Sequence, residues 1–570
     1  MLTDFFRDVS KDLKSISWRM ASVLAFAVLA IYGMMLVEPT TVYDFSSQKG
    51  SAGKVFLTYF FMHRIVRGLI SAFFHDFSPF CNAIIGLMSL FAAACLVWVL
   101  YRRLRFSSCL ATLGAIVFLS TPFFFNFSIY SHVMPAGSMA FVFDALAFLA
   151  FVELRRCGHR PLGLLSIAVA SAMCGTCVYQ AHATFLLTGM FGICALSPKY
   201  RWKDVFADIF LIGLIMGAAV FLWALFSFGP YMVAMAVGYK IPPSGGCHDT
   251  VYWFAGEHTF WVNLKSLVAG YLVNWGYNAF FIVGLRYVLG MMLASIVLVL
   301  VRLCKRQYVG SVYAAMFFLS VFVFPTFQCS VANLRTHYCL IAFLCFGALL
   351  LVRVCEGRVA LKKVVICLVL YGVFEMSHET ATLYYYNWKL KSHDEMHMSF
   401  IAHDLWTLYG KNIQKPVAVV GGWNYSPTCW EDMRPFRELP LVNHPFTTYS
   451  NVNDHNVVRE FYMVAREKVG LVVQMPESAV YDVYRGDKRM QRERSAYPFP
   501  GYIFETNGVV VVNLGADRNP WPSFKFDDFA SPNERLLDRA VMAQAFDRWL
   551  MKVTDPFRLL AKAYPWAVEF

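Results

Sequence analysis

Two carboxylates follow the first long apolar run of the chain: Glu38 directly after it, and Asp44 within Thr41-Val-Tyr-Asp-Phe45. A shielded carboxylate at an apolar boundary is suited to take the proton of a sugar hydroxyl held within hydrogen-bond reach. Spacing alone equally allows two solvated loop carboxylates. Cations gather in the same stretch, at Lys54, His63, Arg64 and Arg67, and again at Arg335 and His337 beside a later apolar run. A guanidinium grips phosphate through two parallel hydrogen bonds, so Lys54, Arg64, Arg67, Arg335 and His337 are candidates to hold a phosphate. The plain alternative is side chains snorkelling from the ends of spans.

Inside the apolar runs, Asp144, Gln180, His182 and Arg286 are the costly positions. Ionisable groups at such depth face a cavity or a partner, and an Asp144–Arg286 ion pair is one arrangement these residues allow. Glu375, His378 and Glu379 close the last run, where a solvated helix end is expected. Cys174 and Cys177 form a CxxC with neither a second pair nor a nearby His, so packing is expected rather than metal or redox chemistry. Cys247 and Cys429 would pair only in an oxidising compartment. The chain has no Walker A segment, no GxSxG and no HExxH. Nor has it a DxD of the kind used with nucleotide sugars, which fits a lipid-linked donor better than a nucleotide one. No metal-ligand set is assigned, no cofactor is expected beyond a lipid-linked donor, and a divalent metal is left open.

The elements that must position these residues are written in the composition. Of 570 residues 58% are hydrophobic and only 15% charged, a balance that makes lipid the main solvent. Runs able to cross a bilayer start near Ser17, Phe80, Ser107, Gly137, Leu162, Thr184, Val205, Ala279, Val309, Thr336 and Val364, about eleven in all. The stretch from Tyr179 to Ala183 allows two of them to be one bent segment. The first run is longer than a signal h-region and lacks a small-residue cleavage site, so it is expected to stay as a span.

The net charge of +13 sits in short clusters between these runs, at Arg7 to Arg19, Arg102 to Arg105, Arg155 to Arg160, Lys199 to Lys203, Arg302 to Arg306 and Arg353 to Lys363. That is a topology pattern rather than a nucleic-acid surface. Because the clusters mark every second connection, they place those connections and the N-terminus in the cytoplasm. The intervening loops, with 38–78 and 229–278 the long ones, fall outside, as does everything after the last run. Interrupted apolar stretches at 55–74 and 260–277 read as helices lying in the interface plane.

The expected fold is a polytopic α-helical membrane protein, with residues 1–386 as the membrane domain and 387–570 as a periplasmic α/β domain. In that domain Pro416-Val-Ala-Val-Val-Gly-Gly422 and Val469-Gly-Leu-Val-Val473 read as buried strands. Asn507-Gly508 joins the two strands of a hairpin, and Ser531 to Val553 reads as a capped helix.

Val178-Tyr-Gln-Ala181, following Ile129-Tyr-Ser131, and the segments Ala496-Tyr-Pro-Phe-Pro500 and Gly508-Val-Val-Val-Val-Asn-Leu514 resemble the GT-C class of polyprenyl-phosphate-sugar glycosyltransferases. Within that class the chain is most similar to the serotype-converting O-antigen glucosyltransferases (the Gtr family), over residues 15 to 515 at weak identity. Tyr43-Asp44 stands where that family carries an Asp-Asp pair, and in Val66-Arg-Gly-Leu69 only Arg67 carries over from its Gly-Arg-Pro-Leu stretch. The resemblance implies transfer of a sugar such as glucose from a polyprenyl phosphate to a periplasmic glycan, at the bacterial inner membrane and with inversion. It implies Asp44 as base, with Glu38 as the alternative, and Arg67, Lys54 or Arg335 on the donor phosphate. The partners would be the lipid-linked sugar, the glycan acceptor and membrane lipid, with no nucleic acid. A lipid-linked glycan transporter or flippase, a polymerase or ligase, and a non-catalytic protein are the rival readings.

Overall fold

In the computed structural model the described residues are 2–37, 56, 64–74, 77–124, 134–156, 162–198, 201–236, 271, 275, 279, 283–323, 337–421, 461–474 and 476–515. They fall into two compact units, the first ending at Tyr384 and the second beginning at Tyr385.

The first unit is helical. Its helices are α1 (Leu2–Lys14), α2 (Trp18–Tyr32), α3 (Ile65–Phe73), α4 (Pro79–Arg103), α5 (Ser108–Ser120), α6 (Met134–Arg156) and α7 (Leu162–Val178). They continue with α8 (Ala181–Leu196), α9 (Trp202–Ala236), α10 (Val283–Cys304), α11 (Tyr308–Ser320), α12 (Cys339–Val354) and α13 (Val359–Tyr409), the last running on into the second unit. Three of them begin on a serine whose hydroxyl accepts an otherwise unpartnered backbone N–H. Ser17 takes Met20 N at 3.4 Å, Ser78 takes Cys81 N at 3.1 Å and Ser107 takes Leu110 N at 3.4 Å. Pro79 opens α4, where its missing N–H costs nothing.

The turns α4–α5 and α10–α11 each pivot on an arginine of positive φ, Arg105 at 67° and Arg306 at 57°. Basic side chains at this end of the bundle also satisfy helix-terminal carbonyls. Arg102 donates to Phe106 O at 2.6 Å and Arg302 to Gly310 O at 2.6 Å. Arg353 donates to Leu104 O at 2.8 Å and to Leu196 O, its guanidinium lying 4.1 Å over the Phe106 ring. The clusters that read as topology markers are therefore also the ties that hold α4, α8 and α12 together at one end.

A helix stands in each of the eleven segments expected to cross. Among the described residues, four are long and apolar enough to do so: Phe80–Arg103, Met134–Arg156, Trp202–Phe226 and Val283–Cys304. A fifth is added if α1 and α2, bent 89° from each other, count as one span. Helices such as α5, with 13 residues, and α8, with 16, reach only about 20–24 Å at 1.5 Å per residue, short of a hydrocarbon core of about 30 Å.

Burial separates two kinds of helix. The apolar windows of α4 and α6 are 67% and 72% buried, those of α9 and α10 only 22% each. Phe206, Phe210 and Phe221 on α9 and Leu293 on α10 are exposed, and so is Phe374 on α13. Large exposed apolar faces on long apolar helices mark a membrane-embedded protein. At the centre, α8 and α12 pack on each other and are buried nearly all round, as a helix with no polar face must be.

The second unit carries a four-stranded sheet, ordered β2-β1-β4-β3, from β1 (Asn412–Val420), β2 (Val472–Gln474), β3 (Ile503–Thr506) and β4 (Val509–Asn513). β1 pairs in parallel with both β2 and β4, while β3 and β4 form an antiparallel hairpin. Asn507 and Gly508, at φ 49° and 77°, make the tight turn that twists with its strands. Alternation along β1 sends Val417 and Val419 to one face, against Met398, Ile401 and Leu405 of α13. Ala418 and Val420 go to the other, against Tyr481 and Tyr484. Both faces are covered there, which explains why residues 416–420 of β1 read as one continuous apolar run. The helix expected at Ser531 to Val553 and the pairing of Cys247 with Cys429 lie outside the described residues.

Candidate functional site

The candidate site is at the end of the first unit opposite the Arg102–Arg353 ties, where α3 leads through Ser78 into α4. Helix α3 is amphipathic in an unusual sense. Arg67, Gly68 and Ser71 face inward against α6 and α7, while Leu69 and Phe73 are exposed. A soluble amphipathic helix does the reverse. An apolar outward face with a guanidinium turned inward suits a helix bathed in lipid whose polar side serves the protein interior. Arg67 is only 4% exposed. Arg64, just before the helix, lays its guanidinium over the Tyr179 ring at 4.9 Å, which fixes it by cation–π attraction.

Tyr179 stands in the break between α7 and α8, so these are two helices rather than one bent segment. Gln180 is the residue preceding α8 and is half-buried. The break brings His182, in the first turn of α8, against Asp144 of α6. Its Nδ1 lies 2.5 Å from Asp144 Oδ2, and both side chains are 0% exposed. Asp144 is about three turns from the basic end of α6, and His182 about four turns from the end of α8, so they meet deep in the bundle.

The Asp144–Arg286 pair that the sequence allows does not form. Asp144 takes His182, which the α7–α8 break places beside it, while Arg286 donates to Ala279 O at 2.9 Å. Gly175 of α7 makes the close approach possible, since a Cβ there would lie 2.4 Å from Asp144 Oδ1.

Aromatic rings join the pair to Arg64. His182 meets Phe141 at 4.8 Å and the edge of Tyr338 at 5.0 Å, and Tyr338 meets Tyr179 at 5.8 Å. Arg64, Tyr179, Tyr338, His182 and Asp144 thus form one continuous chain of contacts from α3 into the core. No family model, curated protein or solved structure matches this chain.

The other expected site residues divide as follows. Glu38, Asp44, Lys54 and Arg335 lie outside the described residues. His337 is buried, with its ring 5.5 Å from that of Trp275. Among the described residues no three His, Cys, Asp or Glu side chains come together as a metal-binding group. Cys174 is half-buried and Cys177 buried, both as free thiols.

In the group at the end of the last apolar run, expected to be solvated, His378 is exposed and Glu375 half-buried, while Glu379 differs. Glu379 is buried and accepts Val283 N at 2.8 Å and Gly284 N at 3.2 Å, capping α10 from a neighbouring helix. Glu375 accepts from the Tyr287 hydroxyl at 2.5 Å and from Tyr371 at 2.6 Å. A carboxylate facing the bare N–H groups at a helix start is drawn there by their partial positive charge. Sequence reading also passes over Tyr338 and meets Tyr179 only within the Val178–Ala181 stretch and at the bend, with no contact role for either. His182 stands out only as a costly residue, and its partner is set by the break in the chain three residues earlier.

Proposed function

We propose that the chain is a glycosyltransferase of the GT-C type, moving a sugar such as glucose from a polyprenyl phosphate to a periplasmic glycan such as O-antigen. The observation that carries this reading is the inward-turned face of α3, which buries Arg67 in an otherwise apolar bundle, with Arg64 just before it linked through the Tyr179 and Tyr338 rings to a buried polar pair. A phosphate attached to a lipid tail arrives at that depth from the side, and arginine is the side chain suited to meet it. In this reading all eleven apolar helices lie within the inner membrane of a bacterium. The shorter ones form the interior, the basic end faces the cytoplasm, and α3 and the sheet unit face the periplasm.

The reaction is a direct displacement. The acceptor oxygen bonds to the anomeric carbon as the bond from that carbon to the phosphate oxygen breaks, its electron pair staying on the phosphate. Arg64 and Arg67, joined by Lys54, Arg335 or His337, stabilise that growing charge. The acceptor proton passes to Asp44, or to Glu38 in its place.

The test is transfer of radiolabelled glucose from polyprenyl-phosphate-glucose to periplasmic glycan by the purified protein, against Asp44→Asn, Glu38→Gln and Arg67→Ala. Loss of transfer in Asp44→Asn or Glu38→Gln, with unchanged thermal unfolding, supports the reading and names the base. Absence of transfer by the wild type, or normal transfer by both carboxylate variants, overturns it. The buried Asp144–His182 pair also suits a proton-coupled transporter of lipid-linked glycan. That second reading is met if the protein moves the labelled lipid across a vesicle bilayer without forming a glycosidic bond.

A further inference from the structure

We infer that the Asp144–His182 pair is a recognition subsite for one hydroxyl of the transferred sugar, His182 Nε2 hydrogen-bonding that hydroxyl and Asp144 positioning the ring. The inference rests on the glycosyltransferase reading and names what that site discriminates.

The pair is incomplete as a structural tie. Asp144 Oδ2 engages Nδ1, so Nε2 is the ring nitrogen left to meet a ligand. Among the described residues Nε2 has no hydrogen-bond partner, and neither has Asp144 Oδ1, although both atoms are fully buried. A buried acceptor without a donor is unfavourable, and an apolar residue of similar size in either position would avoid that cost. Oδ1 is pressed against Gly175, as the 2.4 Å clearance to a Cβ there shows, so Nε2 is the polar atom a ligand can meet.

The chemistry of the surroundings narrows the ligand. A hydroxyl, which can both donate and accept, suits a single ring nitrogen placed in this way. Phe141 and Tyr338 flank the imidazole, giving the apolar and aromatic walls with one placed polar group that are usual in small-molecule sites. Arg64, the proposed phosphate ligand, is reached from His182 through Tyr338 and Tyr179 in three successive ring contacts. This contact chain connects the proposed phosphate ligand to the imidazole proposed to meet the sugar.

The test compares kcat/KM for polyprenyl-phosphate-glucose and its 2-, 3-, 4- and 6-deoxy derivatives in wild type, His182→Phe and Asp144→Asn. Wild type is expected to disfavour one deoxy donor by roughly 10- to 100-fold, the effect of leaving one buried polar atom unmet. His182→Phe removes that preference by slowing the parent donor and not the deoxy one, and Asp144→Asn weakens it. Should His182→Phe fail to fold, Gly175→Ala pushes on the Asp144 carboxylate from the other side and is expected to narrow the same preference.

A merely structural pair would slow every donor by one factor and leave the ratio between donors unchanged, which overturns the inference. Equal use of all five donors by wild type overturns it while leaving the glycosyltransferase reading in place. No transfer from any donor removes both.

Discussion

Removing the carboxylate of Asp208 tests whether the polar ties at the basic end are as buried as they look. Asp208 accepts from Arg155 Nε at 3.1 Å and from Nη2 at 2.8 Å, and from the Tyr313 hydroxyl at 2.7 Å. It joins α6, α9 and α11, and the two charged side chains are 6% and 3% exposed. Asp208→Ala leaves the Arg155 cation in place with the Ser197 carbonyl at 3.0 Å to accept from it. Breaking a buried pair in this way costs about 3–5 kcal/mol, and stranding the Tyr313 hydroxyl adds about 1 kcal/mol.

The assay is denaturant and thermal unfolding of the purified protein in detergent, where a loss of that size lowers Tm on the order of 10 °C. A double variant with Arg155→Met removes the stranded charge, so it is expected to be more stable than Asp208→Ala alone. A loss below about 1 kcal/mol would mean that water or lipid headgroups already serve both ions. So would a double variant whose loss is the simple sum of its parts, and either outcome would refute the description of this cluster as a desolvated tie.

Three further outcomes are expected. Glu379→Ala strips the acceptor from two backbone N–H groups at the start of α10 and should lower stability by about 1–3 kcal/mol, with Glu379→Gln milder, both read by thermal unfolding. Gly421→Ala should loosen the second unit, because φ there is +94° and a Cβ would sit 2.1 Å from Gly515 O; protease cleavage within residues 412–515 should come earlier by mass spectrometry. Burial, and then a 2.7 Å hydrogen bond to Asp404, holds the Tyr502 phenol above its ordinary pKa of about 10. The raised value favours the folded state fully below about pH 10 and is lost as pH rises beyond it, so the sheet unit should destabilise above about pH 10 by circular dichroism and less steeply in Tyr502→Phe.

The elements of the fold were legible because each rests on a local signal. Ser17, Ser78 and Ser107 mark helix starts through a hydroxyl only three residues from the N–H it accepts. The Asn507-Gly508 hairpin is encoded in two adjacent residues that tolerate positive φ. Crossing length was less legible. Apolar composition around Ser107 or Val309 promised full spans, yet α5 and α11 are 13 residues each, ended by turns whose reach depends on neighbouring helices. Hydropathy measures how well a residue tolerates lipid, and the packed interior of a bundle imposes the same demand.

The candidate site was half legible for a related reason. The cost of Asp144 and His182 in an apolar run is visible residue by residue, but which partner answers it depends on helix depth and rotation, neither of which is local. Asp144 had Arg286 as a formal counter-ion, and charge alone favours that choice. What decides is that the chain breaks at Tyr179 and that position 175 is glycine, which together let α7 and α8 carry an imidazole up to the carboxylate. Glu379 makes the same point from the other side: a carboxylate near a helix end looks solvated until the start of a different helix, contributed from far along the chain, is laid against it. In a bundle where most surfaces are apolar, the few polar groups are sorted by geometry rather than by charge. Partner choice among such groups is therefore where sequence reasoning is most open to correction, and where the candidate chemistry of this protein resides.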